Sequence, residues 1–464
     1  MDAKVVDLLK SAQKDEISLD FTSARKKYVE ILDHFPGSSG AETAQKRASA
    51  MDDLIVEKEI YQRIDENAKK VLTDIGVNIA GNQRLMDILM EADAVDFESS
   101  TAVSLPLKRD YIEKCLERVE RSMPGDPGQN AFGTGATPPF LKRPGDDELR
   151  PATREEFEKI VNIVGENSDV VKIFSLPVAT DKSITGFEVA KCMDKGFKGL
   201  KMTAAKSFAD DEILFLKGRD DWMDGTSLIT SLAPMDTMVE PFIRSAKAGV
   251  SLLLLDLTIA GSSGPGSPEA LLTQIHAQVL FMMVLAQTIN PGVPCIHGGI
   301  PGVDEAGGDL SYSSKSQPLI NAAMARVNQW ITKFPSAQSG GSTSITDVND
   351  RAVQESARSR DTLRRYGVHI LRHAMGALGS LNYFSMEKFI QDCTMERNSV
   401  EAFAKDPENR FVQPLYFPPD NDAMAGIREI AEKGNPKSAD HTLKNVESFM
   451  LWEERIEKTK DGTQ

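Results

Sequence analysis

The sequence is poor in cysteine. Its 464 residues include four cysteines, at positions 115, 192, 295 and 393, and none of them belongs to a C-x-x-C pair. This spacing disfavours a disulfide framework and favours a reducing compartment, so we expect a cytoplasmic protein. We also expect no tightly bound metal, because Cys295 and His297 together supply only two of the four ligands that a zinc site takes.

Positive charge and long apolar runs are scarce as well. Lys and Arg number 54 against 69 Asp and Glu, which gives a formal net charge of −15. This balance argues against nucleic acid and anionic membranes as partners. The longest apolar run, residues 271–286, contains Thr273, Gln274, His276 and Gln278, which is typical of a buried helix rather than a membrane span. The N-terminal segment has acidic residues near its start and lacks a long apolar core, so no signal peptide is expected.

A dinucleotide-binding glycine pattern is also missing after the first predicted strand, which disfavours an open doubly wound sheet. Residues 1–125 show helical spacing of apolar residues and predict a helical extension. After a turn cluster at 123–128, short apolar runs alternate with helical patterns, and this alternation predicts a (β/α)₈ TIM barrel over 126–400. A tail at 401–464 follows. The predicted strands are 130–135, 170–176, 199–203, 227–232, 250–259, 294–298, 330–337 and 368–374.

Catalytic residues of such barrels lie at the carboxyl ends of the strands. On this rule we predict His297, His373 and Gln338 as catalytic, since they fall near the ends of strands six, eight and seven. Period-two alternation would place His369, Leu371 and His373 on one face. A hydrogen-bonded structural role is the equal alternative for His297 and His373.

Further candidates come from buried charge and from aromatic residues. Asp256 interrupts a very apolar run and would need a partner if buried. Aromatic rings hold quaternary ammonium ions through cation–π attraction, although loop packing explains most single aromatics. On these grounds we predict a substrate-binding set made of Phe132, Phe174, Asp256, Tyr312, Tyr383 and Phe384.

Several segments resemble the trimethylamine–corrinoid protein methyltransferase family. They are residues 256–299 (DLTIAGSSGPGSPEALLTQIHAQVLFMMVLAQTINPGVPCIHGG), 339–350 (SGGSTSITDVND), 367–376 (GVHILRHAMG) and 385–392 (SMEKFIQD), with 133–139 and 229–234 upstream. The resemblance runs from about residue 60 to the end of the chain. It rests on the order and spacing of these segments rather than on one motif.

The resemblance implies a barrel enzyme that passes a methyl group to the Co(I) form of a separate corrinoid protein. The founding enzymes use pyrrolysine, which this sequence does not show, so it is similar to the branch that demethylates quaternary amines such as glycine betaine. The expected partners are therefore a corrinoid protein, which carries the cobamide cofactor, and a small cationic methylated amine. A homo-oligomer is also expected. Gly298, Gly299, Gly340 and Gly341 are predicted to face the corrinoid.

Two departures from the family pattern bear on the substrate. The loop after the seventh strand reads Ile345-Thr346-Asp347-Val348 in place of the usual residues. Ser336, Ala337 and Gln338 stand where some betaine enzymes have an arginine for the substrate carboxylate, so a carboxylate clamp would come from elsewhere.

Three other functions remain open. Cys295 and His297 could belong to a zinc-dependent methyltransferase. Lys201 could form the Schiff base of a lyase. Because the loop after Gly341 is altered, the barrel could instead bind an amine or a corrinoid protein without turnover.

Overall fold

The computed structural model describes residues 3–79, 81–101, 104–128, 131–135, 137–145, 148–204, 210–299, 301–303, 311–312, 314–433, 439–445 and 448–460. Before the barrel, these residues form α1 (Ala3–Ile17), α2 (Phe21–His34), α3 (Ala41–Lys70), a π-helical turn (Val71–Ile75), α4 (Gln83–Glu91) and α5 (Arg109–Glu117). The apolar faces of α1 to α3 pack together and onto the barrel, so the extension shares its core with the rest of the chain.

Eight parallel strands close into a barrel, which confirms the predicted fold class. They are β1 (Ala131–Thr134), β2 (Val171–Ser175), β3 (Leu200–Ala204), β4 (Trp222–Thr226), β5 (Ser251–Asp256), β6 (Cys295–Gly299), β7 (Ser336–Ser339) and β8 (Ile370–Met375). Neighbours in the sequence are neighbours in the barrel, and β8 pairs with β1 to close it.

One helix follows each barrel strand. They are α6 (Arg154–Glu166), α7 (Gly186–Gly196), α8 (Asp210–Leu216), α9 (Asp236–Ala248), α10 (Pro268–Ile289), α11 (Ser316–Arg326), α12 (Asp350–Arg365) and α13 (Met386–Lys405), and a π-helical turn (Val327–Thr332) extends α11. Local sequence signals start several of them. Thr153 and Thr185 open α6 and α7 with capping boxes, and Ser267 caps α10 ahead of Pro268.

Two-residue strands decorate the loops above the carboxyl ends of the barrel strands. Phe140–Leu141, Tyr383–Phe384 and Ala377–Leu378 form a three-stranded sheet. Ile259–Ala260 pairs with Gly302–Val303, and Ile229–Thr230 pairs with Ala233–Pro234.

Two predicted strands were placed wrongly. The fourth was expected at 227–232, but β4 lies at Trp222–Thr226, and the predicted segment forms a short hairpin above it. The Asp and Gly inside β4 read as a loop, whereas Ile229 and Thr230 have the stronger strand propensity. The seventh was expected from 330, but Val327–Thr332 is π-helical and β7 begins at Ser336. Asn130, predicted to begin the first strand, lies outside the described residues.

Helix α10 is buried on all sides. It has the length and hydropathy of a membrane-crossing helix, yet every residue of its most apolar window is buried inside the protein. Helices α3, α5 and α9 pack on it, together with α14 (Ala423–Lys433) from the tail. The expectation of a buried core helix at 271–286 is therefore confirmed.

The tail wraps back over the barrel. The eighth barrel helix ends at Lys405, and Pro407–Arg410 forms a short 3₁₀ turn. After α14, the described tail continues with α15 (Asp440–Lys444) and α16 (Ser448–Lys460). The three-part division at residues 125 and 400 stays a prediction, although the observed eighth helix passes the second boundary.

Candidate active site

The interior of the barrel is filled by one small apolar cluster to which every strand contributes. Its buried members are Ala131, Ile173, Leu200, Met202, Met223, Leu253, Ile296 and Ala337, and Ile370 of β8 packs against them. Since successive side chains of a strand alternate between faces, this cluster shows which residues point inward. A residue one position away from a cluster member points outward, toward the helices.

The next inward positions form the floor of the mouth. Serine and glycine dominate this layer, and it is closely packed: a Cβ on Gly225 would lie 3.1 Å from Met202 Sδ, and one on Gly298 would lie 2.9 Å from Leu253 Cδ1. Its members are Gly133 on β1, Ser175 on β2, Gly225 on β4, Leu255 on β5, Gly298 on β6, Ser339 on β7 and Arg372 on β8.

Arg372 is the charged residue of this layer, and it is fully buried. Its Nε donates to the carbonyl oxygen of Ala337 at 3.1 Å and its Nη2 to the carbonyl oxygen of Gly299 at 2.8 Å. Within the described part of the chain, no carboxylate forms an ion pair with it. Burial lowers the pKa of Arg372, because a desolvated guanidinium is poorly stabilised in its charged form.

His373 holds the guanidinium from one side. Arg372 Nη1 lies 3.1 Å from His373 Nε2, and His373 Nδ1 lies 3.0 Å from Ser339 Oγ, which is 3.4 Å from the hydroxyl of Tyr312. Because a guanidinium can only donate, Nε2 is the unprotonated nitrogen and Nδ1–H donates to Ser339. Burial, followed by the charge of Arg372, holds the pKa of His373 well below its usual value. His373 is therefore neutral with both ring nitrogens engaged.

The backbone of β8 is distorted at this histidine. His373 has φ +59°, and the pairing of β8 with β1 shifts register between Phe132 and Thr134. A left-handed conformation is rare for a residue with a side chain, and such strain concentrates at functional sites. Since Ile370 points inward, alternation places Leu371 outward and Arg372 inward. At His373 the backbone leaves this pattern, and its ring contacts the Arg372 guanidinium.

The mouth is polar on one side and apolar on the other. We call Ser175, Arg372 and Ser339, on β2, β8 and β7, the polar arc. Met202, Gly225, Leu255 and Gly298, on β3 to β6, form the apolar arc. Leu255 is partly exposed at the rim, and Leu257 just beyond it is 37% exposed.

His297 does not face the mouth, which corrects the prediction. It is one residue from the inward Ile296, so its ring points outward against α10. His297 Nε2 is 3.0 Å from His276 Nδ1, and His276 Nε2 is 3.0 Å from Asp65 Oδ1 on α3. Burial keeps the pKa of His297 well below its usual value. Its environment is that of a structural histidine.

Asp256 and Gln338 also point away from the mouth. Asp256 accepts from the backbone N–H of Thr258 at 2.8 Å and from the side-chain amide of Gln278 on α10. Gln338 neighbours the inward Ala337 and donates to Ser336 Oγ at 2.8 Å. The structure thus corrects Asp256 as a substrate ligand and Gln338 as a catalytic residue, because both lie on the outer face of the barrel wall.

The five predicted aromatic residues do not form one cage. Phe132 and Phe174 each neighbour an inward residue and point outward, where they pack against Arg364 and Phe197. Phe384 packs against Phe389, and Tyr383 stacks beside Phe140 in the short sheet above the barrel. Only Tyr312, through Ser339, reaches the His373 group in the described structure.

The four glycines predicted to face a corrinoid differ in role. A Cβ on Gly340 would lie 2.0 Å from Leu363 Cδ1, and one on Gly341 would lie 2.8 Å from the Ala374 carbonyl oxygen. These two glycines allow close packing against α12 and β8, and their contact with a corrinoid stays a prediction. Gly298 points inward, and Gly299 offers its carbonyl oxygen to Arg372.

The residues invoked for other chemistries are engaged elsewhere. Cys295 points outward to Gln287, and burial raises its thiol pKa to about 12. No group of metal-ligating side chains occurs in the described residues. Lys201 Nζ binds Asp221 at 2.8 Å and the carbonyl oxygen of Gly199 at 2.9 Å, below the apolar interior. These contacts give neither a zinc site nor a Schiff-base lysine facing the mouth.

A family model described as trimethylamine methyltransferase (MTTB) matches residues 37–461. The chain belongs to this family. Two similar proteins come from Desulfitobacterium hafniense. A glycine betaine methyltransferase is 25% identical over 420 residues, 84% of each chain, and a trimethylamine methyltransferase is 23% identical over 303 residues, 65% of this chain and 56% of the other. Membership makes the protein a methyltransferase.

The comparison with solved structures found the monomethylamine methyltransferase of Methanosarcina barkeri. It aligns over 86% of both chains with a TM-score of 0.44 and 11% sequence identity.

Proposed function

We propose that this methyltransferase takes a methyl group from a quaternary amine that also carries a carboxylate, and passes it to the Co(I) corrinoid of a separate protein. The observation that carries the proposal is Arg372, a buried cation at the mouth. Its partners among the described residues are carbonyl oxygens and a neutral histidine, and none of them is an acid. Such a guanidinium is suited to a carboxylate, to which it can present two parallel N–H groups. Arg372 takes the place of the clamp missing from the seventh strand.

The side chains of the site position the substrate rather than activate it. Arg372 would fix the carboxylate, and the ammonium methyl groups would then lie over the apolar arc. A bound corrinoid supplies a Co(I) nucleophile for the exposed methyl carbon. The leaving group is a neutral amine, so no proton must be delivered, and this agrees with a His373 whose two nitrogens are already bonded.

We propose that the corrinoid approaches the barrel at this mouth. Leu255, which is partly exposed, would give the rim an apolar contact. Gly298 and Gly299 remain our proposal for the backbone that a corrinoid approaches. A cytoplasmic location and a homo-oligomeric state also remain proposals, and light scattering of the purified protein tests the latter.

An anaerobic assay with Co(I) cobalamin tests the function. We expect absorbance changes of methyl–cobalt formation with glycine betaine and longer betaines, and weaker ones with tetramethylammonium, which lacks the carboxylate. Trimethylamine should be inert because its nitrogen, unless it is activated, would have to leave as an amide anion rather than as a neutral amine. Binding of betaines without methyl transfer, even with corrinoid proteins supplied, would favour the non-catalytic alternative.

A further inference from the structure

Ser175 is an inward-facing residue of the mouth that the proposed transfer does not use. It ends β2, two positions after the interior residue Ile173, and its side chain is fully buried. Among the described residues its hydroxyl has no hydrogen-bond partner. The other serine of the polar arc, Ser339, is by contrast bonded to His373.

Ser175 and Arg372 both start from strands of the polar arc, but the guanidinium of Arg372 extends to the side of the barrel opposite Ser175. The Arg372 side chain passes β7 and donates to the Gly299 carbonyl oxygen at the end of β6. In a ring of eight strands, β2 and β6 are four places apart and therefore opposite each other. A small substrate held by Arg372 would thus have Ser175 beyond its far side.

The wall next to Ser175 offers it little to bond. On β1, the neighbouring inward residue is Gly133, where a Cβ would already approach the Arg372 Cα within 3.4 Å. On β3, the residue in register with Ser175 is the apolar Met202. A buried hydroxyl without a partner is unfavourable, and such groups in native proteins usually have a ligand or an ordered water.

We propose that Ser175 binds a hydroxyl group of the substrate, separate from the carboxylate held by Arg372. This inference rests on the proposed function and narrows it to a hydroxylated betaine. Arg372 selects the anionic end, and Ser175 selects the hydroxyl across the mouth. A site built to hydrogen-bond a substrate hydroxyl discriminates against the analogue without it, because its own polar group then stays unpaired.

Isothermal titration with a matched pair of ligands tests this. The probes are γ-trimethylammonio-butanoate and each enantiomer of its β-hydroxy derivative. We expect the wild type to bind one hydroxylated enantiomer roughly five- to tenfold more tightly than the parent compound, the factor of one neutral hydrogen bond. Ser175→Ala should remove this preference without weakening the binding of the parent compound.

Ser245→Ala is the matched control, since Ser245 on α9 is also a fully buried serine with a hydroxyl unpartnered in the described structure. It should keep the preference. Equal binding of the three ligands by the wild type, or an equal loss for all of them in Ser175→Ala, would overturn the proposal, and the second result would indicate a structural serine or a bound water. If the wild type bound none of these betaines, the proposed function itself would fail.

Discussion

At the scale of single residues, the proposed substrate binding depends on Arg372. It projects into the barrel above the apolar interior, and backbone carbonyl oxygens of β6 and β7 fix its plane. No carboxylate of the described residues pairs with it. The proposed function assigns this place to the carboxylate of the substrate.

Replacing this guanidinium should weaken binding of the carboxylate end of the substrate without affecting binding of the ammonium end. Arg372→Gln is expected to weaken glycine betaine binding roughly 10- to 100-fold, since hydrogen bonds to charged groups contribute about 1.5–3 kcal/mol. Tetramethylammonium binding should hardly change, and Arg372→Lys should fall between because it keeps the charge but not the fork. Titration calorimetry measures both, with Arg358→Gln on the exposed face of α12 as control. Equal loss for both ligands would contradict the role.

The buried carboxyl of Asp256 should make the free energy of unfolding fall as the pH rises. Burial raises its pKa to about 7, whereas an unfolded aspartate titrates near about 4. The folded state therefore keeps its proton longer, so this contribution to stability is complete below about pH 4 and is lost as the pH rises to about 7.

The wild type should accordingly lose stability relative to Asp256→Asn by up to about 1.4 kcal/mol per pH unit in this window. Urea unfolding of both proteins between about pH 5 and about pH 7 measures the difference. Comparing the two removes the opposing effect of the buried histidines, which the variant retains. Glu401→Gln, an exposed carboxyl on α13, should show no such slope relative to the wild type. If the free energies of unfolding of Asp256→Asn and the wild type changed equally with pH, the raised pKa of Asp256 would be contradicted.

At the scale of elements, sequence patterns located most strands but not the direction of their side chains. All five residues of β6 are buried, as both faces of a parallel barrel strand are covered. Without polar residues on one face, the sequence cannot indicate whether His297 or Ile296 points inward. Arg372 was overlooked beside His373, although a charged residue inside a buried strand is itself a signal. The register shift at His373 could not be read from the sequence.

A buried relay joins three elements of the wall. It connects Asp65 on α3, His276 on α10 and His297 on β6. Burial works to raise the pKa of Asp65, but hydrogen bonds from His276 and Lys69 outweigh it and lower the value to about 2. The ionised carboxylate orients His276, which in turn accepts from His297.

Asp65→Asn should therefore destabilise the fold by about 1–3 kcal/mol, because a buried imidazole N–H loses its charged acceptor. Urea unfolding measures this against Glu66→Gln, whose carboxylate is 52% exposed on the same helix. The control should cost less than about 1 kcal/mol, as exposed ion pairs contribute little. Similar losses in the two variants would show that the relay adds nothing.

At the scale of the whole molecule, the extension, barrel and tail share one buried ion pair. Glu57 on α3 accepts from Arg326 Nη1 at 2.6 Å and from the Tyr61 hydroxyl at 2.7 Å. It also accepts from the backbone N–H of Leu415 in the tail at 2.8 Å, and Arg326 donates to the Gln413 carbonyl oxygen at 2.8 Å. The tail is thus tied to the other two parts where it crosses between them.

Breaking the Glu57–Arg326 ion pair should make the tail more mobile as well as destabilise the fold. Glu57→Gln leaves Arg326 buried without its counter-ion, and removing one partner of a buried pair costs about 3–5 kcal/mol. We expect urea unfolding at lower concentration and faster proteolytic cleavage in the segment between α13 and α14. Glu59→Gln, an exposed acid two residues along the same helix, should change neither. If Glu57→Gln unfolded earlier but its tail resisted protease as the wild type does, the pair would stabilise the barrel without holding the tail.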